Sequence, residues 1–491
     1  MNKYLRAISS NFIYFIINTI FFVLIIPLAI KILGEVFFGL WSVLYALMLV
    51  ANIGTLGIGS IVSKFAAEAH TEHLSDEQAF GEVITAGLLI VLPMAVILML
   101  AFIVSRQWIA QTVTPGSEWE TQFSRALLYV GLSMFPTFLS QVFQGFLLSQ
   151  LQNRVARQIE VFSSIALWTG VVLSVSLFGR NLILVGIWCL ITSAGVLVLY
   201  YLAARHQTKF RLCLCPARLR TMLSFSGYMF LESGAVVLLQ NVDRVIVGFT
   251  LGPAIAGVYS VGTSVGLRMS MVIGQATQVM IPYASLKDST ADHLRLYIIF
   301  RKLSQYVSLF VAVLGSLLIL WMNEILALWI SPAYAVSYSN IFRILIIGYG
   351  WLSLVRPAHQ TLTGLGKVRI TSLIYSFSTL SMLASLYLLT YSWGLLGAAL
   401  ANCVPVLLLA MNLYIYKRAD DRAALQGMFS DLKEGLFIPA LALLLVLLYP
   451  AFWLKLLLTI ALGCFTGVML FHDEWLRDQI RRVTNRFLTY A

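Results

Sequence analysis

Four arginines interrupt long apolar stretches of this chain: Arg244, Arg268, Arg343 and Arg356. A guanidinium is always charged and presents a planar fork of N–H donors, so phosphate and carboxylate are its matching ligands. A charge at the centre of a membrane helix costs about 2.5–3.5 kcal/mol on insertion scales, so such residues face a partner or a cavity. Ser260, Ser264, Arg268 and Gln275 recur at i, i+4, i+8 and i+15, close to one helical face. Arginines that converge in one bundle repel each other unless an anion enters among them. At about 1.5 Å of rise per residue, Arg244 and Arg343 lie about 10 Å from the outer span ends and Arg268 about 20 Å.

Two acids share that half of the chain, Asp243 and Glu232, and are candidates for carrying a coupling proton or cation. Each of these residues also has a structural alternative. Arg244 can pair with Asp243 or Glu232 to hold helices together. Arg356 precedes Pro357 near a span end and can snorkel to the headgroups. His359 reads as interfacial. The first half offers uncharged polar faces instead: Asn11, Tyr14 and Asn18 on one helix, and Ser133, Thr137, Ser140 and Gln144 on another. No P-loop, H-E-x-x-H or G-x-S-x-G occurs, so the expected activity is not enzymatic. No cofactor or metal is expected either. Cys213 and Cys215 form a C-x-C near His206, too few ligands for a metal site.

The elements that must position these residues follow from composition. Of 491 residues 60% are hydrophobic and 11% charged, with a mean hydropathy of +0.88. Soluble domains carry about 25% charged residues, so this is an integral membrane protein. Its net charge of +12 does not indicate nucleic acid, because the basic residues lie in short loops between apolar spans. There they set topology and meet anionic lipid headgroups. Apolar runs of about 20 residues without period-2 alternation predict helices rather than a barrel. About fourteen are expected, near 9–30, 38–60, 80–104, 123–147, 159–178, 182–204, 222–250, 255–281, 299–322, 336–358, 369–391, 394–416, 435–450 and 453–471. The first is read as a retained span, since no signal-cleavage pattern follows it. With both termini cytoplasmic, only Lys31, Arg106, Arg180 and Lys455 fall in outer loops.

The chain also repeats itself. L-G-x4-G-L-W-S-V at Leu33 to Val43 returns as L-G-x4-G-V-Y-S-V at Leu251 to Val261. A fainter echo sets Phe178-Gly179 and Val185-Gly186 beside Trp393-Gly394 and Leu396-Gly397. The expected organisation is an all-α protein of two related six-helix bundles, 1–204 and 221–416. They are joined by a basic cytoplasmic linker, 205–220, and followed by two further helices and a basic tail, 417–491. An even number of spans per half relates the bundles by an axis along the membrane normal.

With these features in place, the chain resembles the polysaccharide-type flippases of the multidrug/oligosaccharidyl-lipid/polysaccharide (MOP) exporter superfamily. The resemblance covers nearly the whole chain and rests on the span count, the two halves and three stretches: LGEVFFGLW, NIGTLGIGSIVSKFAAE and NVDRVIVGFTLGPAIAGVYSVG. Where relatives often have a proline early in span seven, this chain has FSGY, with Gly227 free to bend. The resemblance implies translocation of an undecaprenyl-diphosphate-linked oligosaccharide across the bacterial inner membrane by two rocking bundles. Protons or sodium would couple the movement, membrane lipids would surround it, and polysaccharide assembly proteins would be partners. An ion-coupled drug exporter of the same fold is the alternative, although it favours acidic and aromatic groups in its cavity. A membrane polysaccharide polymerase or ligase would carry a long outer loop, and these loops are short.

Overall fold

Long apolar segments in a bilayer must satisfy every backbone polar group internally, and this chain does so with helices throughout. The structure, a computed structural model, describes residues 2–55, 57–69, 76–150, 152–207, 211–278, 280–285, 290–419, 423–448 and 451–472. Among them no strand occurs. The first half comprises α1 (Asn2–Leu33), α2 (Glu35–Ala51), α3 (Ile58–Ala69), α4 (Asp76–Val113), α5 (Glu120–Ser149), α6 (Asn153–Phe178) and α7 (Leu182–Gln207). The second comprises α8 (Pro216–Leu251), α9 (Pro253–Thr277), α10 (Met280–Ser285), α11 (Thr290–Phe310), α12 (Ser316–Trp329), α13 (Pro332–Leu354), α14 (Arg356–Gly364), α15 (Val368–Ala401) and α16 (Ala410–Ala419). Two more helices follow, α17 (Ala424–Leu448) and α18 (Phe452–His472).

Eleven helical runs among the described residues are long and apolar enough to cross a membrane. One of them, Val368–Arg418, folds back at Gly394 and so holds two crossings. The 25-residue helices α9 and α17 have the length to cross as well, which brings the number to about the fourteen read from the sequence. A π-turn at Val311–Gly315 joins α11 to α12 within one span. Helix α8 runs unbroken through Gly227.

Within the first half α5 packs on α4 and α7, and α1 packs on α6. Within the second, α8 packs on α15 and α13 packs on both α9 and α12. Helix α17 docks on α11 through Asp431, whose carboxylate takes two hydrogen bonds from Arg301 at 2.6 and 2.9 Å. Helix α18 is the most peripheral. It is tied to α12 by Lys455 Nζ to Glu324 Oε1 at 2.5 Å, and its remaining face is largely exposed apolar side chain. Lys455, read from sequence as a loop residue, therefore lies inside a helix and is buried.

The sequence repeat has a structural meaning. Gly34 and Gly252, the first glycines of the two copies, both turn the chain between helices at positive φ (76° and 85°) with ψ of 160° and 168°. A side chain would be strained at either. Gly179 and Gly394 form the second such pair, with φ of 75° and 57°. The second glycines of the two copies meet face to face. A Cβ on Gly39 would stand 1.9 Å from the Pro253 carbonyl oxygen, and one on Gly257 would stand 3.0 Å from the Gly39 Cα. Helices α2 and α9 thus cross with main chain against main chain. That crossing brings the two halves into contact at their hairpin end.

Candidate functional site

Below the glycine crossing lies a cavity of about 530 Å³, walled by α1, α2 and α6 of the first half and α8 and α9 of the second. The repeat places its roof. Ser42 and Ser260, each three residues beyond its crossing glycine, both face into the space. One helical turn from the contact, equivalent residues of the two halves therefore look at the same volume.

Arg244 and Arg268 reach this cavity from α8 and α9. Arg244 is 5% exposed, and its Nε donates to Thr263 Oγ1 at 2.9 Å, while one terminal nitrogen has no partner. Arg268 lies with its guanidinium carbon 3.9 Å from the centre of the Phe22 ring on α1. Its terminal nitrogen donates to Thr19 Oγ1 at 3.3 Å, and its buried Nε has no partner. A cation over an aromatic face is held electrostatically by the ring quadrupole and keeps its N–H edge available. Among the described residues no salt bridge joins either guanidinium to a carboxylate. Asn18 and Gln275 line the same space, and so does Tyr14. Asn11 belongs to α1, but its side chain lies outside the described residues.

The other expected residues lie elsewhere. Arg343 is buried against α12, donating to the Ile319 carbonyl at 3.0 Å and to Asn340 Oδ1 at 2.6 Å. Arg356 starts α14 and donates from Nε to Ser270 Oγ at 3.2 Å, on the side of α9 away from the cavity. Gln144 sits beside the Tyr200 hydroxyl inside the first bundle. The rest of its stripe is satisfied by its own helix, since Ser133, Thr137 and Ser140 donate to backbone carbonyls three or four residues back. All these residues were placed by depth and periodicity, and neither tells which neighbour a face meets.

The two acids are bound separately. Asp243 is fully buried, and its Oδ1 accepts the backbone N–H of its neighbour Arg244 at 2.9 Å. Its carboxylate accepts from the Tyr259 hydroxyl at 3.1 Å and Asn402 Nδ2 at 3.4 Å, and Tyr259 and Asn402 also bond each other. Glu232 pairs with His359 Nε2 at 2.7 Å and accepts from Thr371 Oγ1 at 3.1 Å. The His359 ring stands edge-on to Tyr375, with 5.2 Å between centroids. His359, read as interfacial, is therefore the partner of Glu232 within the second bundle. Among the described residues neither acid lines the cavity, and neither forms a salt bridge with the Arg244 guanidinium.

Sequence reasoning missed the α6 wall. Arg157, Glu160, Ser164 and Trp168 all face the cavity, and Arg157 bonds Glu160 at 2.5 Å. Glu160 is the only carboxylate among the described lining residues. Its place near a span end hid it in the sequence, and Trp168 resembles any other apolar core residue.

Comparison with known proteins adds to this geometry. Residues 5–286 match the family described as polysaccharide biosynthesis protein. A Shigella flexneri protein named for O-antigen transport is 26% identical over 205 residues, 42% of this chain and 48% of that protein, so the match spans about half of its length. Among solved structures, the fold is similar to the inward-facing conformation of a multidrug resistance MATE family transporter of the MOP superfamily. The TM-score is 0.71 at 11% identity, over 83% of this chain and 96% of that one. It is also similar to the lipid II flippase MurJ in an inward closed conformation, with a TM-score of 0.67 at 14% identity over 94% and 99% of the two chains. These likenesses establish the fold.

Proposed function

Because the chain belongs to the polysaccharide biosynthesis protein family, we propose that it flips an undecaprenyl-diphosphate-linked oligosaccharide across the bacterial inner membrane. The observation that carries this is the pair Arg244 and Arg268. Two guanidiniums from different helices line one cavity, and among the described residues neither forms a salt bridge with a carboxylate. A diphosphate brings the charge and the acceptor oxygens that such a pair lacks. The cavity lies between the two halves, where rocking would expose it to each leaflet in turn, while the lipid tail stays in the bilayer.

An ion-coupled drug exporter shares the fold, but a cationic drug would enter a cavity lined by three arginines and one carboxylate, which already pairs with Arg157. The units 1–204, 205–220, 221–416 and 417–491 would serve as the first bundle, linker, second bundle and appended helices. Both termini would be cytoplasmic, and a reporter at Gln207 should read cytoplasmic where one at Ser117 reads periplasmic. Protons or sodium would drive the cycle from Asp243 or Glu232, and enzymes of polysaccharide assembly would take up the product. Deleting the gene tests the function. Lipid-linked oligosaccharide should accumulate on the cytoplasmic leaflet and disappear when the gene is restored. No accumulation would overturn the proposal.

A further inference from the structure

Along α6, Glu160, Ser164 and Trp168 succeed one another at intervals of four residues, which sets them on one face of the helix. That face is turned into the cavity by what holds the opposite one. Trp188 of α7 packs across Gly170, where a Cβ would stand 1.9 Å from its ring, and donates its indole N–H to the Ala166 carbonyl at 3.1 Å. Helix α6 is thereby fixed in rotation.

The three side chains differ from the cationic wall opposite. Trp168 packs edge-on with Trp41 and Tyr45, at centroid distances of 5.7 and 5.8 Å. Trp41 is fully buried, while Tyr45 lines the cavity beside Trp168, so the Trp168 ring is held in place at the cavity wall. Glu160 is bonded to Arg157, yet its side chain remains 44% exposed, so carboxylate acceptor sites stay open. Ser164 supplies a hydroxyl between them.

An apolar plate, a hydroxyl and a carboxylate in a row do not suit a phosphate, which Glu160 would repel. They suit a pyranose. Its C–H face lies flat on an aromatic ring, and its rim hydroxyls donate to a carboxylate. We infer that the α6 face Glu160–Ser164–Trp168 is a sugar-binding subsite, which orients the substrate with its glycan against the first half and its diphosphate against Arg244 and Arg268. This rests on the flippase function proposed above.

The test uses the full-length purified protein in detergent and two probes: bare undecaprenyl diphosphate, and the lipid-linked oligosaccharide extracted from the deletion strain. Wild type should bind the glycan-bearing lipid about tenfold more tightly, as one well-placed charged hydrogen bond or more would give. Glu160→Gln and Trp168→Leu should each abolish that preference while binding the bare lipid within about twofold of wild type. Trp168→Phe, which keeps an aromatic plate, should retain part of it. A wild type that binds both lipids equally, or variants that keep the preference, would remove the subsite and leave the diphosphate site standing. Equal loss of both lipids in the variants would also remove it, by showing a structural role. A wild type that binds neither lipid would remove the proposed function, and the subsite with it.

Discussion

The indole N–H of Trp329, at the end of α12, donates to the backbone carbonyl of Val23 on α1 at 2.7 Å. That carbonyl is the one Pro27 leaves unpaired, because a proline within a helix has no N–H to return four residues back. A residue of the second half thus completes the backbone bonding of a helix in the first. Pro27→Ala would supply the missing N–H and make Trp329 redundant. Trp329→Phe should lower stability by about 0.5–1.5 kcal/mol in the native chain and by clearly less in the Pro27→Ala background. Thermal unfolding of the four proteins in detergent gives the cycle. Strict additivity would show that the bond does not tie the halves.

For Arg268 the expected effect is on binding and transport. Arg268→Ala removes charged hydrogen bonds, worth about 1.5–3 kcal/mol each, or roughly ten- to a hundred-fold in affinity for undecaprenyl diphosphate. Arg268→Lys should recover only part of this, since an ammonium lacks the planar fork and lies less well on Phe22. Normal export by Arg268→Ala would exclude substrate contact. Loss of the protein from the membrane would instead mark Arg268 as the clamp between α9 and α1.

For the proposed gradient coupling, the surroundings of the two acids separate them. Glu232 is bonded to an imidazole, whereas Asp243 is held by a phenol, an amide and the Arg244 backbone N–H. Glu232→Gln should fold and transport without responding to an imposed pH gradient across vesicles. Asp243→Asn should keep the response and unfold at lower temperature, because its network loses its charged acceptor. The reverse pattern would move coupling to Asp243.

Gly39→Ala should disturb the closed state in particular. Its Cβ would fall 1.9 Å from the Pro253 oxygen, a backbone atom that can move only with its helix. The hairpin end should open more often, and Ser42→Cys should react faster with a membrane-impermeant maleimide added from that side. An unchanged rate would mean that the crossing yields without parting.

The sequence carried the fold in its hydropathy and its repeat. L-G-x4-G marks a hairpin in each copy, and Gly34 and Gly252 make those turns. The close approach of Gly39 and Gly257 was not legible in the repeat, because a glycine's letter does not say which helix packs on it. Arg244 and Arg268 were legible because charge in an apolar run demands an explanation. Arg343 carried the same signal and points elsewhere, since depth along a helix says nothing about its azimuth. The stripe from Ser133 to Gln144 misled for another reason. Hydroxyls on a membrane helix can satisfy themselves on its own carbonyls, and these do. Trp168 was invisible because an aromatic residue has the same letter whether it fills a core or faces a cavity.

At the Gly39–Gly257 crossing the contact is made of peptide planes and the Phe38 ring, none of them ionisable. Salt and pH have no group to act on there, so neither can pry it open directly. Any force that reaches it must arrive as torque, transmitted along α2 and α9 as rigid rods from where ions or substrate bind. Ser42 and Ser260, one turn below, would then separate in step with the seal, and the roof of the cavity would report the state of the gate.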